Sequence, residues 1–446
     1  MSSTRMQWAF GRILFVLAIL TVTAAGALGA AARNIVLLIV DGAGYNAYHC
    51  SSYYEYGETG KQPYDSFPVR LACTTGAYDA PVYDPEKSWS DFKSLRSKAT
   101  DSAAAATALY TGVKTASYHI ATDPDNRPLT TIAEIAHAMG KSTGAVSSVP
   151  FSHATPAAVF AHNKDRKNTG EIANEIVYRS GLTVVFGAGH PRYDDNGRRR
   201  PRGQSKDDYC PDAVYQALAD GTTGKGWAFL ESSDAMEALA AEARPELRRV
   251  FGLAPCTSSL QYRRDGKGPG GLNGNMPTLE TMSLAALNVL SRDEDGFFLM
   301  IEGGAVDWAN HDKNLARMLE EYADFNRTVA AVMRRLQEGG ILEDTLVIVV
   351  SDHECGQIWG PSAGEESDTP FDLPVNRGKG NLPAAKYFSG GHTNGLVPLF
   401  ATGPGSEFFH ARVRGVDRHA AKAWCISGQY VDNTDVFTVM KAAITD

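Results

Sequence analysis

The sequence predicts an α/β fold built on a mostly parallel central sheet. Three observations predict it. Apolar, β-branched runs at 34–40, 297–301 and 345–350 lack polar alternation, which marks strands buried on both faces. Amphipathic segments lie between these runs and supply the helices that must cover such a sheet. Each run ends in an acid, Asp41, Glu302 or Asp352, and open parallel sheets collect ligand groups beyond the carboxyl ends of their strands.

Length and composition bound the function. The chain has 446 residues, enough for several domains or for one large α/β domain. Hydrophobic content of 43% and charged content of 21% are those of a globular protein. A net charge of −8 argues against a nucleic-acid binder, which needs a basic field. The one basic cluster, Arg198 to Arg200 with Arg202, is flanked by Asp194, Asp195, Asp207 and Asp208 and reads as a solvated loop.

The first 30 residues have the pattern of a secretory signal. Arg5 and Arg12 precede the apolar stretch 13–22, and small residues fill 24–32. The apolar core is short for a spanning helix, so cleavage near Ala30 to Arg33 is expected rather than a membrane anchor. The mature chain is then 31–446. An even number of cysteines, six, in an exported chain predicts disulfides.

Taken in order, the strand at 34–42 leads into a Tyr- and Gly-rich helix start and loop over 46–83. The stretch Thr100-Asp101-Ser102 and its alanines reads as a capped helix with Ser102 at the N-terminus and Gly112 as its stop. A hydroxyl there lies at the positive end of the helix dipole, where an anion binds. A helix over 130–139 and a strand over 142–149 follow. A second helix is expected from Ala157 to Arg166, then a short strand at 182–186. The region from Tyr193 to about Met276 reads as decoration with short strands near 227–230 and 249–253. Helices are predicted at 278–291 and, from apolar spacing, at 315–336. Residues 356–391 are irregular. A last strand at 397–402 carries Pro398, which points to a sheet edge.

Three acids converging on one sheet edge repel each other unless cations join them. Histidines stand close to those acids. Asp307 and His311 are spaced i, i+4 on one helical face, His353 follows Asp352, and His392 sits in a Gly-rich turn. Carboxylate oxygen combined with imidazole nitrogen suits zinc. Histidines 49, 119, 137, 162, 190, 410 and 419 receive no role.

The motifs in combination resemble those of the alkaline phosphatase family: Asp41 after its strand, T-D-S-A-A-A-A-T-A with T-G-V-K-T, H-A-T-P-A-A, Arg166, E-G-G-A-V-D-W-A-N-H, S-D-H-E and G-G-H-T. The resemblance covers nearly all of the mature chain. It implies a three-layer α/β/α sandwich with a small crown-like insertion at about 356–391 that helps to form a homodimer. It also implies two zinc ions and one magnesium ion per subunit. Asp307, His311 and His392 hold the first zinc. Asp41, Asp352, His353 and Ser102 hold the second. Asp41, Thr155 and Glu302 hold the magnesium. Ser102 is the nucleophile that forms a phosphoserine, and Arg166 grips the phosphate of a small phosphate monoester. In one well-known form of the family an Asp and a Lys lie near the magnesium and the phosphate, where this chain has His153 and Trp308. That exchange implies weak magnesium binding. A sulfatase would need a C-x-P-x-R motif, which the chain lacks. A phosphodiesterase of the same superfamily is the alternative activity, and a non-catalytic metal- or phosphate-binding protein is the non-enzyme alternative.

Overall fold

The structure is a computed structural model that describes residues 31–201, 203–206, 208–242 and 246–445. The predicted signal segment 1–30, Arg202 and Asp207 lie outside the described residues. Eleven strands form one sheet: β1 (Asn34–Val40), β2 (Val69–Thr74), β3 (Ser142–Pro150), β4 (Val184–Ala188), β5 (Ala228–Leu230), β6 (Val250–Leu253), β7 (Phe297–Gly303), β8 (Thr345–Val350), β9 (Val397–Thr402), β10 (Gly415–Val416) and β11 (Gln429–Asp432). Their spatial order is β10-β11-β2-β9-β8-β1-β7-β3-β4-β6-β5. All run in one direction except β9 and β10. The central strands β8, β1, β7 and β3 are parallel neighbours, so their carboxyl ends open on one side.

The apolar runs behave as their lack of alternation predicts. In β1, Val36, Leu38 and Val40 enter one core, and Ile35, Leu37 and Ile39 enter the other. Helices Tyr45–Tyr56, Ser233–Ala241, Leu279–Leu290 and Leu315–Glu338 cover the first face. Helices Ser102–Thr111, Ile132–Ala138, Thr169–Tyr178, Asp212–Ala219 and Asn433–Thr445 cover the second. Each fully buried aliphatic or aromatic side chain contributes about 1.5–3 kcal/mol, so both cores are needed to hold an eleven-stranded sheet.

Several local expectations are corrected. The stretch 46–83, expected as a helix start and loop, opens with helix Tyr45–Tyr56 and also contains an unexpected strand, β2. The helix expected from Ala157 to Arg166 is a single turn, Ala154–Ala157, and the chain from 158 onward is irregular until helix Thr169–Tyr178. The decoration over 193–276 supplies β5 and β6, which extend the main sheet at one end. Strand β9 is internal, not an edge, and two strands follow it. Pro398 is tolerated because pairing with β8 begins only at Leu399, so its missing N–H falls before the second ladder. The expected disulfides do not form: Cys50, Cys73, Cys256, Cys355 and Cys425 are free thiols, and only Cys425 among them is exposed. Among the described residues no helix is long and apolar enough to cross a membrane.

One histidine left without a role proves structural. His162 lies between Glu134 (3.5 Å) and Glu175 (3.4 Å) and joins helices Ile132–Ala138 and Thr169–Tyr178. Burial opposes its charge, but the two carboxylates outweigh burial and push it up to about 10. The raised value means that this ion triad stabilises fully below the ordinary pKa of 6.5 and is lost as pH rises through about 10. Thermal melts of wild type and His162→Gln from pH 6 to 10.5 are expected to show the gap in Tm narrowing as pH rises. A gap independent of pH would rule out a charged His162.

Candidate active site

The carboxyl ends of the four central strands carry the site. Asp41 follows β1, Glu302 lies within β7, and Ser351, Asp352 and His353 follow β8. The turn after β3 leads to His153 and Thr155. Gly42 ties these ends together. Its N–H donates to Asp352 Oδ1 (3.1 Å), and its carbonyl accepts from Asn310 Nδ2 (2.9 Å). Its φ is +74°, and a Cβ there would stand 2.7 Å from Asp307 Cα. Only glycine allows helix Ala305–His311 to bring Asp307 this close to Asp41.

Two donor clusters result. In the first, Asp307 Oδ2 is 3.3 Å from His311 Nε2, and Asp307 Oδ1 is 3.3 Å from His392 Nε2. The two imidazole Nε2 atoms are 3.0 Å apart. His311 Nδ1 lies 2.7 Å from the Gly390 carbonyl, and His392 Nδ1 lies 2.8 Å from the Thr100 carbonyl. A carbonyl accepts only, so each Nδ1 carries a proton and each Nε2 is aimed at Asp307 and at the other ring. Burial opposes charge on His392, but Asp307 outweighs burial and pulls His392 up to about 9, so a proton takes the place between these groups that a metal cation could fill. In the second cluster, His353 Nε2 is 3.1 Å from Asp352 Oδ2, 3.5 Å from Asp41 Oδ1 and 3.2 Å from Ser102 Oγ.

These separations match a zinc site. Tetrahedral bonds of about 2.0–2.1 Å place donor atoms roughly 3.3 Å apart. Buried polar atoms without hydrogen-bond partners point the same way: Asp41 Oδ1 and Oδ2, Asp307 Oδ1, Asp352 Oδ2, Glu302 Oε1 and Thr155 Oγ1. The Glu302 carboxyl is beside the Thr155 hydroxyl, and Ser147 donates to its other oxygen. Asp41, Glu302 and Thr155 thus form a third, all-oxygen set that fits magnesium better than zinc.

Charge in the site is unbalanced. Burial first, then Asp352, Asp307 and Glu302, hold the Asp41 carboxyl well above its ordinary range. Burial pushes Glu302 and Asp352 up to about 7. Asp307 goes the other way: burial disfavours its charge, but His392 and His311 outweigh this and keep it ionised. Burial and the neighbouring His392 hold His353 neutral, as a ligand must be.

Ser102 and Arg166 stand beside the second cluster. Ser102 opens helix Ser102–Thr111, whose N-cap Asp101 accepts from the Ala104 N–H and whose C-cap Gly112 is left-handed. Asp101 also takes Arg166 Nη1 at 3.1 Å, and Arg166 Nη2 lies 3.0 Å from His153 Nε2. Burial and then Arg166 push His153 down to about 3, so its Nε2 accepts from the arginine. The Trp308 ring packs edge-on against His153, with centroids 5.5 Å apart.

All twelve residues expected from the sequence therefore lie in or beside one site. Sequence reasoning missed three others. Asp101 anchors Arg166 as well as the helix. Asn310 locks the ligand helix to Gly42. Cys355 lies within the first donor cluster, where its thiol faces Asp307. Asp101 had a signal, an acid directly before the serine; Asn310 and Cys355 had none.

The family model described as alkaline phosphatase matches residues 32–381. The chain belongs to the alkaline phosphatase family. Relatives agree. Over 274 residues the chain is 32% identical to alkaline phosphatase 4 of Bacillus subtilis (strain 168), a match that covers 60% of this chain and only 52% of that protein. It is 27% identical over 440 residues to the alkaline phosphatase of Escherichia coli (strain K12), covering 93% and 86% of the two chains. The solved alkaline phosphatase of the Antarctic bacterium TAB5 has the same fold, with a TM-score of 0.65 at 24% identity over 93% of this chain and 98% of that one.

The unbalanced carboxylates generate a prediction. Without cations, the folded state keeps protons on Glu302 and Asp352 up to about pH 7, whereas the unfolded state releases them near the ordinary values of 4.5 and 3.8. Stability is then withdrawn as pH rises from about 4 to 7. Stripping divalent ions with a chelator is expected to lower Tm more at pH 8 than at pH 5, and zinc with magnesium to restore it. A loss of the same size at both pH values would count against a cation role for these carboxylates.

Proposed function

We propose that this protein is an exported, metal-dependent phosphomonoesterase that hydrolyses small phosphate monoesters at alkaline pH through a phosphoserine at Ser102. Residues 31–446 form its catalytic domain, the segment at about 356–391 its crown, and a homodimer its assembly. The observation that carries the reading is the position of Ser102. Its hydroxyl opens a ten-residue helix, 3.2 Å from His353 Nε2 and inside a cation-binding donor set. The pattern of residues 1–30 supports export.

The two histidine-containing sets would hold zinc: Asp307, His311 and His392 in one, and Asp41, Asp352, His353 and Ser102 in the other. Asp41, Thr155 and Glu302 would hold magnesium. When bound, these ions supply Lewis acidity that lowers the pKa of a coordinated hydroxyl or water and neutralises charge building up on the phosphoryl oxygens. The chain's own residues do the rest. Ser102 Oγ gives up its proton to solvent and forms the bond to phosphorus as the bond to the leaving oxygen breaks, and that oxygen takes a proton from water and departs as the alcohol. Water then cleaves the phosphoserine and regenerates the hydroxyl. The helix N-terminus favours the anion held at Ser102. Asp101 and His153 each take one Arg166 nitrogen, which orients the planar guanidinium to meet two phosphate oxygens.

The test is a panel on p-nitrophenyl phosphate and bis-p-nitrophenyl phosphate. Wild type is expected to prefer the monoester. Ser102→Ala should lower kcat by roughly 10³-fold or more, and Arg166→Ala should raise the inhibition constant for inorganic phosphate about 10–100-fold. A preference for the diester would favour the phosphodiesterase reading.

His153 and Trp308 bring neither a carboxylate nor an ammonium to the magnesium set, and a neutral His153 supplies no charge to orient the ion's waters. Magnesium is therefore expected to bind weakly. Activity measured against free magnesium after chelation should rise with added ion. His153→Asp with Trp308→Lys should shift that curve to lower magnesium; a curve that does not move would remove this role from the pair.

A further inference from the structure

The region over 193–276 contributes more than the end of the sheet. Its loop from Gln261 to Gly271 carries glycines at 266, 268, 270 and 271, yet two buried arginines hold it in place. Arg317, from the long helix Leu315–Glu338, gives its donors to loop carbonyls: Nε to Gly268 (2.7 Å), Nη1 to Gln261 and Tyr262 (3.1 Å each), and Nη2 to Asp265 (3.2 Å) and Gly266 (3.1 Å). Arg264 donates to the carbonyls of Gln261, Gly270 and Gly271 and pairs with Glu320 at 2.7 Å. Guanidinium groups with this many satisfied donors fix a backbone that its glycines alone would leave loose.

The residue between these anchors, Arg263, lies against Trp308, the neighbour in sequence of Asp307. Its guanidinium carbon lies 5.5 Å from the Trp308 ring centroid and 5.2 Å from that of Tyr262. Trp308 follows Asp307 and packs against His153, the partner of Arg166. A row therefore runs Arg166, His153, Trp308, Arg263, from the phosphate arginine outward past the first donor cluster. Arg263 Nη1 contacts Asp312 Oδ2 at 3.3 Å, but the Tyr262 hydroxyl takes the same oxygen at 2.6 Å. The Arg263 side chain is 47% exposed and borders a cavity of about 460 Å³ that Lys267 also lines. On a chain of net charge −8, this is a local cationic rim.

We propose that Arg263 is a specificity-determining residue that recognises a second anionic group on the leaving group of the substrate. The favoured substrates are phosphate monoesters that carry a further phosphate or carboxylate. The proposal rests on the phosphomonoesterase reading above. The cation is held by the Arg317 and Arg264 scaffold and by the aromatic faces of Trp308 and Tyr262, so little ordering cost opposes binding.

The experiment compares α,ω-alkanediol bisphosphates of two to six carbons with the alkyl monophosphates of the same length, using the metal-loaded enzyme. In wild type the ratio of kcat/KM, bisphosphate over monophosphate, is expected to pass through a maximum with chain length. At that maximum Arg263→Gln should lower the ratio about tenfold, Arg263→Lys should retain most of it, and high salt should lower it in wild type. A role for Arg263 confined to packing on Trp308 changes both substrates alike and leaves the ratio fixed. A flat ratio in wild type, or one unmoved by Arg263→Gln, overturns the assignment. If folded, metal-loaded wild type cleaves no monoester at all, it is the phosphomonoesterase reading that fails, and this proposal fails with it.

Discussion

Four carboxylates, Asp41, Glu302, Asp307 and Asp352, are buried against one another at the centre of the sheet. Their mutual repulsion in a low-dielectric interior is the constraint on which the rest of the structure depends. Only Asp307 is compensated by imidazoles, while Asp41, Glu302 and Asp352 hold onto protons. A fold that concentrates charge in this way gains stability from cations as pH rises through the range in which these carboxyls lose their protons. Folding and metal binding are then linked properties of the same residues.

The central strands and their ends supply Asp41, Glu302 and Asp352, and segments outside the sheet supply Asp307 and most of the remaining groups of the candidate site. Ser102 and its helix pack from one side. The turn around Gly390 and Gly391 delivers His392, which pairs with Cys355 in a two-stranded ladder and is oriented through its Nδ1 by Thr100. Asp101 couples these parts. The same carboxylate caps the Ser102 helix and fixes Arg166, so Ser102 and Arg166 share one rigid reference.

Around this centre, polar anchors do what a hydrophobic core cannot. Arg317 and Arg264 satisfy backbone carbonyls of a glycine-rich loop. His162 joins two helices on the other face of the sheet through paired carboxylates. Both devices use charged side chains to define position: in the glycine-rich loop they act where apolar side chains are few, and at His162 they add to helices already packed on the core.

The sequence by itself determined the α/β class, the central strands and nearly every residue of the candidate site. The strands buried on both faces announce themselves by composition, and acids at strand ends need only a parallel sheet to bring them together. The Ser102 helix was legible because its cap, its alanines and its terminal glycine all agree locally. Tertiary structure decided what local signals cannot encode. Strand β2 and the position of β9 within the sheet depend on non-local pairing, and periodicity does not report partners. The segment after Ala157 spends its backbone groups on a distant partner instead of a helix: Asn163 bridges Ile120, and the Arg166 N–H donates to the Tyr118 carbonyl. Cys50, Cys73, Cys256 and Cys355 are buried as thiols, and pairing among them is something no local signal reports. The placement of Arg263 beside Trp308 likewise depends on a loop held by an arginine fifty-odd residues away, a contact that exists only once the long helix has docked.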